Sequence, residues 1–143
     1  MRVGPQPIIA RPAWYDRNAA SRADTYTGQQ LAPHALTTRL TYTVPAGKKA
    51  IVELLQVKCV RRTAATTVGL VYAYATITPS GGSEKEILDS YLFGNAVGDK
   101  DGQALQGTLV LCTGDVINMK TYDGSTGGTV DYFLAYKVTE FDA

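Results

Sequence analysis

From residue 36 to residue 141 the chain is a run of short apolar–polar alternations, cut repeatedly by proline- and glycine-rich turns. Alternation at period two sends successive side chains to opposite faces of a sheet, so each stretch buries one face and wets the other. Leu36, Thr38, Leu40, Tyr42 and Val44 alternate with Thr37, Arg39, Thr41 and Thr43, and Pro45-Ala-Gly-Lys-Lys49 then breaks the strand. Further strands are predicted at 50–62, 68–78, 87–93, 105–111, 116–122 and 130–138. In 68–78, Leu70, Tyr72 and Tyr74 are expected on one face and Val71, Ala73 and Ile77 on the other. Pro79-Ser-Gly-Gly-Ser83, Thr113-Gly-Asp115 and Asp123-Gly-Ser-Thr-Gly-Gly128 supply turns, and 94–103 reads as a polar loop. Seven or eight strands at this spacing predict an all-β domain, an antiparallel sandwich or barrel. No fixed repeat points to a solenoid or propeller.

The first 35 residues break this pattern. They hold Pro5, Pro7, Pro12 and Pro33, four of the 6 prolines, which oppose a helix and a central strand. The stretch 18–30 has room for one short helical turn. Yet the segment also carries Ile8, Ile9, Trp14, Tyr15, Tyr26 and Leu31, apolar groups that seek burial. The expected division is therefore an extended arm, 1–35, and a β body, 36–143. Aromatic and arginine anchors dominate contact energetics. The arm residues expected to bind a partner are Ile8, Ile9, Arg11, Trp14, Tyr15, Arg17, Arg22 and Tyr26; the alternative is an arm folded back over its own body.

Composition removes several functional classes. With 143 residues, 45% of them hydrophobic, the chain can bury one core. A net charge of +1 from 14 basic and 13 acidic side chains lacks the basic excess of a nucleic-acid binder. No apolar block matches a signal peptide or a membrane span, so a soluble protein made in the cytoplasm is expected. Cys59 and Cys112 allow one disulfide, but both lie in apolar strand-like runs and read first as two buried free thiols.

Catalytic equipment is sparse. The single histidine, His34, has no nucleophile motif to serve. Glu84, Glu86 and Asp89 read as a solvated edge rather than a converging acid pair. Gly98-Asp-Lys-Asp-Gly102 touches the calcium-loop pattern but puts Val110 where the twelfth-position glutamate belongs. No catalytic residue, metal ligand or cofactor is expected. Tyr42, Tyr72, Tyr74, Tyr132 and Tyr136 are expected in the core and its rim; the competing reading is an exposed aromatic face for sugar or protein contact.

Two motifs carry a resemblance. Tyr42-Thr-Val-Pro-Ala-Gly-Lys-Lys-Ala-Ile-Val52 gives a strand, a Pro-Ala-Gly turn and a strand; Leu111-Cys-Thr-Gly-Asp-Val-Ile117 gives an apolar strand, a Gly-Asp turn and a strand. With the glycine-rich hairpin and the Val130-Asp-Tyr-Phe133 strand, residues 36–141 resemble the small jelly-roll virion proteins of tailed bacteriophages, among them head decoration (cement) proteins and related fibre domains. The resemblance implies a jelly-roll-like sandwich and no enzymatic activity. It implies a decoration protein on the outer surface of the virion, bound to the major capsid protein and forming homo-oligomers, with a trimer favoured. A head or tail fibre module that binds a receptor or carbohydrate is the alternative. Neither nucleic acid nor membrane is an expected partner.

Overall fold

The structure is a computed structural model that describes residues 19–27 and 34–143. The described residues form nine strands, in chain order β1 (Ala19–Thr27), β2 (Thr37–Thr43), β3 (Lys48–Thr63), β4 (Val71–Thr78), β5 (Lys85–Leu92), β6 (Lys100–Ala104), β7 (Leu109–Leu111), β8 (Val116–Asp123) and β9 (Thr129–Asp142). They form an all-β sandwich. One sheet runs β1-β9-β3-β6, with β7 also pairing β3, and the other runs β2-β8-β4-β5. Every pairing is antiparallel.

The long strands β3 and β9 form the spine of the larger sheet, in register from Lys48↔Asp142 to Thr63↔Thr129. Their inner faces show why the alternation folds as it does. Ala50, Val52, Leu55, Val57 and Cys59 of β3 and Val130, Tyr132, Leu134, Tyr136 and Val138 of β9 are buried. Opposite them lie Leu40 and Tyr42 of β2, Val71, Ala73 and Ala75 of β4, Leu88 and Leu92 of β5, and Ile117 and Met119 of β8. Each large aliphatic in this core contributes about 1.5–3 kcal/mol through removal from water. A bulge between Val52 and Leu54 resets the phase of β3, which leaves Leu54 exposed and Leu55 inside.

The two turns that carry the resemblance pack against each other. Val44 N donates to Asp115 O (3.0 Å) and Gly114 N donates to Val44 O (3.0 Å). The Asp115 carboxylate accepts Ser80 N and Cys112 N, each at 2.8 Å, and so locks three turns at one end of the sandwich. At the other end the β3–β4, β5–β6 and β8–β9 loops are bonded together. Gly124 N donates to Leu70 O (2.7 Å), Thr66 N to Thr126 O (2.8 Å) and Gly98 N to Arg61 O (2.7 Å). Asn95 both accepts from Ala65 N and donates to Ala65 O. A Cβ on Gly69 would lie 2.1 Å from Gly124 O, so only glycine permits this backbone contact.

Four sequence expectations are corrected. The stretch 18–30, which had room for one short helical turn and was read as part of an extended arm, is a strand where the structure describes it. Ala19–Thr27 is an edge strand, Ala19↔Thr139 to Thr27↔Asp131. No proline falls between Pro12 and Pro33, so a nine-residue strand fits at an edge, where one side needs no partner. The polar loop expected at 94–103 gives its last residues to β6, which pairs with β3 from Val60↔Lys100 to Gln56↔Ala104 despite its hydrophilic sequence. An exposed edge strand needs no apolar face. The strand expected at 68–78 begins at Val71, because Gly69 and Leu70 are tied to the β8–β9 loop. Cys112 is exposed rather than buried, since it follows the end of the three-residue β7 and enters the Gly-Asp turn.

Candidate binding face

The outer face of the smaller sheet gathers most of the exposed chemistry. Strand register sets the rows. Tyr72 pairs with Tyr91 of β5 and Tyr122 of β8, so three tyrosines form one rung across three strands. The next outward rung is Lys120, Tyr74 and Asp89, and the one beyond is Asn118, Thr76 and Glu86. Ring centroids lie 5.1 Å apart for Tyr72–Tyr122, which stack, and 5.5 Å apart for both Tyr72–Tyr74 and Tyr72–Tyr91. Phe93 extends the series, 6.1 Å from Tyr91 and 80% exposed. A concavity of about 440 Å³ runs along this face from Leu70 to Glu86.

The polar rows are unevenly neutralised. Lys120 Nζ lies 2.8 Å from Glu84 Oε2, and Thr76 Oγ1 donates to the same carboxylate at 2.6 Å. The Lys120 hydrogen bond holds the Glu84 carboxyl below the usual range, with Thr76 adding to it. Glu86 moves the other way: partial desolvation, then the like charge of Asp89, raises it. Burial similarly raises Tyr74 and Tyr91.

The five tyrosines singled out in sequence divide between the two readings. Tyr42, Tyr132 and Tyr136 are buried. Tyr42 Oη donates to Glu140 Oε2 at 2.7 Å, and Tyr42 and Tyr136 pack ring to ring at 5.7 Å. Tyr72 and Tyr74 stand on the outer face. Tyr91, Tyr122 and Phe93, which complete the cluster, were not singled out. Their own strands were legible, but the rung depends on which strands become neighbours. The spacing of Tyr91 and Phe93 at i, i+2 was the one local signal that both share a face.

Of the expected arm anchors, Ile8, Ile9, Arg11, Trp14, Tyr15 and Arg17 lie outside the described residues. Arg22 and Tyr26 fall in β1, in register with Tyr136 and Tyr132. His34 takes a left-handed backbone (φ 62°), and its N–H donates to Asp123 O at 3.1 Å. Among the described residues, no three histidine, cysteine or acidic side chains group as metal ligands. Among the described residues no helix is long and apolar enough to cross a membrane.

The cysteines are both free and differ in setting. Burial pushes the Cys59 thiol up to about 12, against a smaller opposing effect of its contact with Ser90 O. A thiol reagent at neutral pH is expected to modify one cysteine, Cys112, in the native protein and two after denaturation. Mass spectrometry of the labelled chain checks this; native labelling of Cys59 would contradict it.

Models of known protein families and curated proteins were both compared with the chain, and neither comparison gave a match.

Proposed function

We propose that the chain is a virion structural protein of a tailed phage, a capsid decoration protein that binds the outside of the major capsid protein lattice and stabilises the shell. The observation that carries this reading is the strand order. With β7 set aside, the orders β1-β9-β3-β6 and β2-β8-β4-β5 support a jelly-roll reading, a double Greek key in which the chain passes repeatedly between sheets. That order needs β1, so on this reading part of the segment taken as an arm, Ala19–Thr27, belongs to the sandwich as an edge strand. This supports the resemblance from the pairing of strands, independently of the turn motifs that first suggested it.

The attachment role then belongs to residues 1–18. They precede the edge strand and contain Ile8, Ile9, Trp14, Tyr15, Arg2, Arg11 and Arg17. Arginines suit carboxylates on an acidic shell because the guanidinium fork bonds two oxygens at once. A protein that binds the assembled lattice and not its dispersed subunits stabilises the lattice by mass action.

The structure also places the cut for the test. Deleting 1–30 would remove β1 and confound attachment with folding; deleting 1–18 spares it. The shortened protein is expected to keep the urea midpoint of the full chain and to lose co-sedimentation with particles. Full attachment by the shortened protein would refute the proposed role of this segment.

A further inference from the structure

The tyrosine rung and its acidic flank point to a partner of defined charge. Among the described residues, Tyr72 and Tyr91 are partly exposed and Phe93 largely so on the outer face of the smaller sheet, their rings in contact. Exposed aromatic patches of this kind mark interaction sites, and tyrosine is enriched among residues that dominate binding. The charges beside the rung do not balance. Glu84, Glu86 and Asp89 line this side, with Lys120 as the cation facing them. Lys120 is engaged by Glu84. Lys85 pairs with Ile77, whose side chain packs against the core, so its register turns it away from this face. Among the described residues no cation lies within ion-pairing distance of Glu86 or Asp89. The face is therefore electron-rich in its rings and carries net negative charge beside them.

We propose that this face docks a basic, arginine-bearing segment of another protein. A guanidinium set against the Tyr72 and Tyr91 rings gains from the ring quadrupole, and arginine does so more often than lysine. Glu86 and Asp89 are placed to accept its N–H groups in charge-assisted bonds. An acidic segment meets repulsion at the same carboxylates, so charge also selects against wrong partners. The proposal concerns the body alone and does not rest on the capsid reading: it stands or falls on the smaller sheet, whatever residues 1–18 attach to.

The test titrates the full chain with two nine-residue peptides, one alternating arginine and glycine, the other glutamate and glycine. Binding is followed by calorimetry and by NMR shifts of the tyrosine ring protons. The arginine peptide is expected to bind and to shift Tyr72, Tyr74 and Tyr91, and the glutamate peptide to leave the spectrum unchanged. Tyr72→Ala and the double variant Glu86→Gln/Asp89→Asn are each expected to weaken binding at least about tenfold, which is about 1.4 kcal/mol. Asp142→Asn, a carboxylate exposed elsewhere, is expected to change nothing. If Tyr72→Ala fails to fold, Tyr91→Ala carries the same expectation. Absence of binding, equal binding by all variants, or a response of these rings to a neutral oligosaccharide instead of the arginine peptide would each overturn the proposal.

Discussion

Arg61→Ala is expected to destabilise the sandwich by about 3–5 kcal/mol, the range found when one partner of a buried charged network is removed. Arg61 continues the inward series Leu55, Val57 and Cys59 and is fully buried. Its Nη1 reaches Ser125 Oγ at 3.5 Å, and Ser125 in turn donates to Asp123 Oδ1 through both N–H and hydroxyl. Its backbone N–H donates to Asp99 O at 2.7 Å. The side chain thus lies under the three bonded loops. Truncation leaves a void beneath them and strips the positive charge from the network that includes Asp123. The guanidinium is nonetheless poorly satisfied, because among the described residues Nε and Nη2 find no hydrogen-bond partner. Burying such groups is costly. Arg61→Met fills much of the same space without that cost, and is expected to fall within about 1.5 kcal/mol of the parent. Urea unfolding of the two variants measures the contrast. A Met variant as unstable as the Ala variant would show that the charge, not the volume, holds the loops.

The second large effect is alkaline. In an unfolded chain a thiol ionises near pH 8.5 and a phenol near pH 10. In the fold, burial pushes Cys59 up to about 12. Burial also holds Tyr132 and Tyr42 well above the tyrosine range, with Glu140 adding to the effect at Tyr42. Above the unfolded values, the unfolded state therefore releases protons that the folded state keeps, and stability falls as pH rises. One such group steepens the decline by about 1.4 kcal/mol per pH unit, so three together give about 4. Stability is expected to be level below about pH 8, to decline gently to pH 10, and then to drop steeply. Cys59→Ala is expected to remove the early decline and about one third of the later slope. Denaturation midpoints from pH 7 to pH 11 check both; a flat profile to pH 11 would contradict the burial of these groups.

Sequence alternation reached the layers of the fold but not its wiring. Strands 2, 3, 4, 5, 8 and 9 were legible because each carries an apolar face at period two, as Leu40/Tyr42 and Val130/Tyr132/Leu134 show. β6 was not, because an edge strand such as Lys100–Ala104 buries almost nothing and its pairing rests on backbone bonds that any sequence can make; β1 was not, because the prolines on either side of it point to an extended arm. The candidate face was half legible for a similar reason. Tyr72 and Tyr74 announce an aromatic strand face, but whether that face turns inward depends on the opposite row, Val71, Ala73 and Ala75, filling the core. The small alanines there leave room for the packed sheet and turn the tyrosines to solvent. Arg61 follows the same phase rule: period two points it inward, while the adjacent Arg62 points out and pairs with Asp131.

The most direct test of the decoration reading is the copy number of this protein in purified particles, measured against the shell subunit by quantitative mass spectrometry. The account predicts a fixed small-integer ratio that disappears when residues 1–18 are deleted. A protein found wholly in the unassembled fraction, with no particle carrying it, would contradict the account.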